Sequence, residues 1–202
     1  MKRMLGVAVV ACALVLVLGQ PAIAGTAIEL GGGTSAPMGA PTNHGWRFTA
    51  DEDITLTTLG LWDDDDDGMD IEHPIGIWEF SSGTLLASGV IHAGTGDLLI
   101  DHFRYIDVPD VDLAAGVDYV LGFHTASSNS DKMVYGGPLI DWVVDPAITY
   151  LDARYGGSPS LAMPGPSVTT TYYRFGPNFQ FVPEPGTLSL LLIGGLALLR
   201  RR

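Results

Sequence analysis

The sequence predicts an all-β protein: an antiparallel β-sandwich of jelly-roll or immunoglobulin-like type, with a closed barrel as the other arrangement, flanked by an N-terminal signal-peptide helix and a short C-terminal hydrophobic helix. Three observations predict it. Side chains alternate over short stretches, most cleanly where Val117, Tyr119, Leu121 and Phe123 interleave with Asp118, Val120, Gly122 and His124. About nine or ten such stretches recur every ~10–15 residues, separated by Gly, Pro, Asn and Ser clusters, the spacing of two packed antiparallel sheets. No amphipathic helical period of useful length and no internal repeat interrupts them.

The chain opens with Lys2 and Arg3, an apolar run from Leu5 to Leu18 and the small-x-small triplet Ala22-Ile23-Ala24. This is the pattern of a secretory signal peptide over residues 1–24, cleaved so that the mature chain begins at Gly25. The apolar run is too short and wrongly flanked, by Gly19-Gln20-Pro21, for a permanent anchor. Cys12, the single cysteine, lies inside that run, so the mature protein forms no disulfide and depends on packing, helped at most by a metal.

The β domain spans residues 25–181. Thr26 to Leu30 reads as a short strand, and Gly31 to Pro37 as a flexible connection with nothing to bury. Trp46 and Phe48 alternate, as do Ile54 and Leu56, before Thr57-Thr58 shifts the register ahead of Leu59 and Leu61 as a bulge would. Ile75 to Phe80 and Thr84 to Ile91 flank Ser81-Ser82-Gly83 as a hairpin. Leu98 to Ile106 reads as one strand, and Val117 to Phe123 as a central one. Ala126 to Asp131 is a polar loop and Tyr135 to Pro138 a turn. Ala147 to Tyr155 is a further strand and Gly156 to Pro166 a loop. Thr169 to Phe175 and Asn178 to Phe181 close the domain about a Gly176-Pro177 turn.

Between Gly25 and Pro185 stand 23 acidic residues against five basic ones, Arg47, Arg104, Lys132, Arg154 and Arg174, a formal charge of −18. Such a surface repels phosphate backbones, which argues against direct nucleic-acid binding, and it attracts cations.

The acidity is densest from Asp63 to Glu72. Asp63, Asp65, Asp67 and Gly68 have the D-x-D-x-D-G spacing of a calcium loop, in which alternate carboxylates on a chain turned by glycine converge on one ion. Asp70 or Glu72 would supply a late ligand. The twelfth position is Pro74, where an EF-hand places a bidentate Glu, so this is no EF-hand. The other reading is a solvated acidic loop whose charges repel. Calcium is the one cofactor the sequence suggests.

His44, His73, His92, His102 and His124 form no zinc-type pair, although His102 and His124 lie on predicted strands. Neither a G-x-S-x-G elbow nor a mature cysteine supplies a nucleophile, and the glycines of residues 31–33 lack the Lys-Ser or Lys-Thr of a phosphate loop. Catalytic residues are therefore expected to be none. Paired carboxylates for glycan cleavage are uninformative in so acidic a chain. Trp46, Trp62, Trp78 and Trp142 raise a carbohydrate-binding reading, with Trp62 beside the Asp run as the candidate platform; packing in the core is the alternative for most of them.

Residues 182–202 form a tripartite tail: Pro183-Glu184-Pro185, an apolar run from Leu188 to Leu199, and Arg200, Arg201 and Arg202. Thirteen residues from Thr187 to Leu199 reach only ~20 Å as a helix, short for a hydrocarbon core of ~30 Å. A simple tail anchor is the competing reading. The three parts together resemble a PEP-CTERM sorting signal. Phrases such as Gly45-Trp46-Arg47-Phe48, Leu59-Gly60-Leu61-Trp62-Asp63, Ile75-Gly76-Ile77-Trp78, Gly83-Thr84-Leu85-Leu86-Ala87 and Gly176-Pro177-Asn178-Phe179 are similar to sandwich domains that accompany such tails. The resemblance implies passage through the secretion translocon and transient insertion of the tail in the membrane. It further implies cleavage near Pro183-Glu184-Pro185 by a membrane exosortase, and delivery to the surface or extracellular matrix of a Gram-negative bacterium. The expected role is a non-enzymatic envelope or matrix protein that binds cations and exopolysaccharide. A carbohydrate-binding module is the alternative, and a glycan-acting enzyme ranks behind both.

Overall fold

The computed structural model describes residues 24–135, 141–166 and 173–184, and within them the protein is all-β, with every pair of named strands antiparallel and no helix. The expected terminal helices, Ala22 of the cleavage triplet, and Pro185, Arg200, Arg201 and Arg202 of the tail lie outside the described residues.

Two five-stranded sheets carry the domain. The first has the order β1 (Gly25–Thr26), β15 (Pro177–Pro183), β5 (Ile54–Trp62), β9 (Phe103–Leu113) and β8 (Leu98–Ile100). The second runs β13 (Ile148–Gly157), β4 (Thr42–Ala50), β10 (Asp118–Thr125), β6 (His73–Glu79) and β7 (Leu85–Ile91). A small sheet of β14 (Arg174–Phe175), β11 (Lys132–Tyr135) and β3 (Ser35–Pro37) joins them, and β12 (Trp142–Val144) pairs with β2 (Ile28–Leu30).

The alternation read from the sequence aims one face of each large sheet at the other. On β4 and β10, Trp46, Phe48, Tyr119, Leu121 and Phe123 are buried; on β5 and β15, so are Leu56, Leu59, Leu61, Phe179 and Phe181. Phe179 of the first sheet bridges to the second, stacking 5.2 Å from Phe48 and 6.2 Å from Trp46 of β4, and meets Phe181 of its own strand at 5.9 Å. The Trp46 indole N–H is satisfied by the Pro177 carbonyl at 2.8 Å, so a polar atom enters the core without being orphaned. Burial of each such ring stabilises the fold by ~1.5–3 kcal/mol. At one margin the sheets converge: a Cβ on Gly89 of β7 would lie 2.3 Å from Ile106 of β9.

β10 is central, as its pattern predicts, with β4 and β6 on either side. The bulge expected at Thr57-Thr58 is present, as a register shift between Leu56 and Thr58 against β9. The Ser81-Ser82-Gly83 hairpin also forms, closed by Glu79 N–H to Thr84 O at 3.0 Å, with Gly83 at φ 69°.

Two expectations are corrected. Leu98 to Ile106 is two strands, because Asp101 and His102 adopt φ 47° and 66° and turn the chain; its second strand then runs to Leu113. The Gly31 to Pro37 connection contains β3, whose backbone completes the pairing of β11. The Gly176-Pro177 turn joins β14 to β15. It is the step by which the chain leaves the small sheet for the first large one, and Gly176 is needed because a Cβ there would sit 2.7 Å from the Phe123 ring. The last strand also runs past residue 181: Pro183 pairs with Ile54, and Glu184 N–H reaches Asp53 O at 3.2 Å.

Candidate metal centre

The acidic stretch connects β5 to β6, as the sequence indicates, and the fold pins it from three sides. Asp63 follows the last residue of β5 and is buried. Its Oδ2 accepts Arg104 Nε–H at 2.8 Å and the Gly68 N–H at 3.1 Å, so the loop folds back on its own first residue. Gly68 stands at φ 102°, and a Cβ there would meet the Gly94 carbonyl carbon at 2.6 Å. Two conditions, left-handed backbone and close approach, thus demand glycine at this position. Met69 is buried beyond it and exchanges backbone hydrogen bonds with Gly94 at 2.7 and 3.3 Å, clamping the loop to the β7–β8 connection.

Arg104 organises the interior side. Besides Asp63 it donates Nη2–H to Asp66 O at 2.9 Å and Nη1–H to the Thr95 and Asp97 carbonyls at 3.3 and 3.2 Å. Lys132 pairs with Asp64 at 2.7 Å, and His102 with Asp66 at 2.9 Å. On the far side Asp70 N–H donates to Asp131 Oδ1, and Asp70 Oδ2 accepts Ser130 N–H, both at 2.8 Å. Asp131 Oδ2 lies 2.8 Å from Nε2 of the fully buried His73.

What remains is a cleft of about 130 Å³ lined chiefly by Asp63, Asp65, Asp67, Asp70, Asp131 and Lys132. Asp63, Asp65 and Asp67 each place a ligand atom within 4.8 Å of the others, with Asp65 and Asp67 exposed. The electrostatic consequence appears at Asp67. Its carboxyl is pushed above the ordinary carboxylate range, first by a hydrogen bond shared with Asp65 and then by the Asp65 charge, with Asp63 and Asp70 adding to it. Asp70 is displaced the opposite way, because the Ser130 hydroxyl and N–H favour its ionised form.

Of the residues the sequence nominates, Asp63, Asp65, Asp67 and Asp70 come together at this cleft. Glu72 does not: it is exposed, does not line the cleft, and its charge is felt at His92 instead. Trp62 lines the cleft, yet its residue is only 5 % exposed and its ring packs on His102 and Phe103 at 5.4 and 5.2 Å. No face is left to stack on a sugar, which corrects the platform expectation; Trp46 and Trp78 are buried too. His102 sits in an exposed turn and His124 in the buried middle of the second sheet, and no histidine joins a metal-ligating trio among the described residues.

Sequence spacing misses Arg104, Ser130, Asp131 and Lys132, which reach the site from β9, from the segment before β11 and from the first residue of β11. A signal for Arg104 exists: with five cations in so acidic a domain, an arginine is expected to lie beside the densest acids. Asp131 carries no comparable mark. Compared with known proteins, the chain matches no family model and no curated protein.

Proposed function

We propose that the chain is an exported, non-enzymatic protein of the bacterial envelope or extracellular matrix, built as a β-sandwich, whose acidic cleft takes up calcium. The observation that carries the cation reading is the convergence of Asp63, Asp65 and Asp67 within 4.8 Å around a cleft that Asp70 also lines. Carboxylates at that separation repel, which raises the Asp67 carboxyl above the ordinary carboxylate range, and a divalent cation relieves the repulsion while accepting the oxygens. A cleft of oxygens with room for retained water suits Ca²⁺ better than a soft metal.

Export and delivery to the surface rest on the signal-peptide pattern and on the resemblance of residues 182–202 to a PEP-CTERM tail, with the translocon and an exosortase as processing partners. Exopolysaccharide is the matrix partner this reading gives it, reached through the bound cation, since the buried Trp46, Trp62 and Trp78 offer no stacking surface. The test is titration calorimetry with CaCl₂ on chelator-treated protein. Stoichiometric binding that Asp65→Asn weakens supports the reading, and the absence of heat at millimolar calcium removes it.

A further inference from the structure

At the opposite end of β4 from its junction with β5, a histidine and an arginine meet without a carboxylate. His44 is 2 % exposed, its ring held between Phe123 of β10, centroid 5.7 Å away, and Tyr155 of β13, 5.0 Å away. Its Nδ1 lies 3.1 Å from Arg174 Nη1. A guanidinium only donates, so Nδ1 must be the acceptor and the ring hydrogen must sit on Nε2. That hydrogen goes to Thr42 Oγ1 at 2.8 Å, and the Thr42 hydroxyl passes its own to the Gly39 carbonyl. The relay is complete only with a neutral imidazole.

Arg174 is held by rings as well, with its buried Nε left without a hydrogen-bond partner among the described residues. Its guanidinium lies 4.6 Å over the Tyr135 ring and 4.4 Å over the Tyr155 ring. Arg47, Arg104, Lys132 and Arg154 each have a carboxylate within 4.0 Å, whereas Arg174 has none among the described residues. Among the described residues the groups facing the pair are Thr42 from β4 with the Gly39 carbonyl beside it, Phe123 from β10, Tyr155 from β13 and Tyr135 from β11. None can neutralise a second positive charge. The next titratable groups outward are His73, whose ring meets Phe123 at 5.8 Å, and Asp131, which pairs with His73 at 2.8 Å rather than with His44 or Arg174. His124, one residue beyond Phe123, belongs to the other face of β10 by strand alternation and is electrostatically coupled to His73.

We infer that His44 and Arg174 form an acid-operated latch: a proton taken by His44 Nδ1 removes Arg174's acceptor, sets two cations side by side and frees the β3–β11–β14 corner from the large sheets. The corner is small and its pairing lies outside the two five-stranded sheets: β14 contributes two residues and β3 three, while Met133, Val134 and Phe175 anchor it in the shared core, so its opening exposes those three side chains. Burial first and the Arg174 charge second lower the His44 pKa to about 4, so the latch opens well below neutral pH.

The test is amide hydrogen exchange on the full chain between pH 7 and 4, corrected for intrinsic rates. The opening constant at the amides of Met133, Val134 and Tyr135 is expected to rise as pH falls below ~6.5, by up to ~10-fold per pH unit, the slope of one proton. The β10 amides should stay protected. His44→Gln, whose amide oxygen can accept from Arg174, should abolish that slope. Equal slopes in both proteins, or simultaneous opening of β10, would overturn the latch. Should His44→Gln fail to fold, the wild-type ring titration of His44 by NMR decides: its midpoint must coincide with that of corner opening, and separate midpoints overturn the proposal.

Discussion

Arg104 Nε donates to Asp63 Oδ2 at 2.8 Å with both side chains almost wholly withdrawn from water, 5 % and 3 % exposed. The pair places a carboxylate in the lining of the cleft, with its hydrogen bonds from Arg104 and Gly68 both made by Oδ2. Arg104→Ala strands a buried carboxylate and three carbonyls, and should destabilise the protein by ~3–5 kcal/mol in urea denaturation. A loss below ~1 kcal/mol would mean that water replaces the arginine.

Asp65 and Asp67 are exposed and owe nothing to the core. Asp65→Asn and Asp67→Asn should therefore leave the metal-free melting temperature unchanged or slightly higher, by relief of repulsion, while weakening calcium binding at least ~10-fold. Calorimetry beside scanning fluorimetry separates the two effects; parallel losses of both would contradict them.

The displaced carboxyl of Asp67 sets a sign for pH. Its folded-state pKa is raised above the ordinary value, so the folded chain binds the proton more tightly than the unfolded one. That stabilisation is fully present below the unfolded carboxylate pKa and is lost as pH rises through the folded value. Calcium should act in the opposite direction, binding more weakly in acid and releasing protons on uptake. Unbuffered titration detects the release, and Asp67→Asn should diminish it.

The clean alternation of Val117 to His124 made β10 legible as the centre of a sheet, and the D-x-D-x-D-G spacing singled out the loop that carries the cleft. Period-two patterning could not reveal the break at Asp101-His102, because both residues adopt left-handed backbone that is set by the Arg104 and Asp66 contacts around them. Nor could it show that Trp62 faces inward. The residue ends a strand beside five aspartates, and only the packing of Phe103 across the pair decides its face. Asp131 entered the site from a polar loop that spacing alone cannot relate to residue 63.

Gly176 marks the passage between sheets. Gly176→Ala would drive a Cβ to 2.7 Å from the ring of fully buried Phe123, which has no room to retreat, and should destabilise by ~1–3 kcal/mol. An unchanged melting temperature would show that the crossing is slack.

Mass spectrometry of surface-released protein should find neither residues 1–24 nor the run from Leu188 to Arg202. Recovery of an intact C-terminus would contradict the sorting reading.

The hydrogen bond from Glu184 to Asp53 bears on that release. Ordered pairing continues to the first proline of the motif, and only Pro185, Gly186 and Thr187 separate Glu184 from the apolar run, a reach of at most ~11 Å. On the proposed sorting reading, insertion of that run would bring the Asp51-Glu52-Asp53 end of the sheets close to the lipid headgroups. Cutting at the motif would then free a body with hardly any loose end, its final strand already zipped into the sheet it completes.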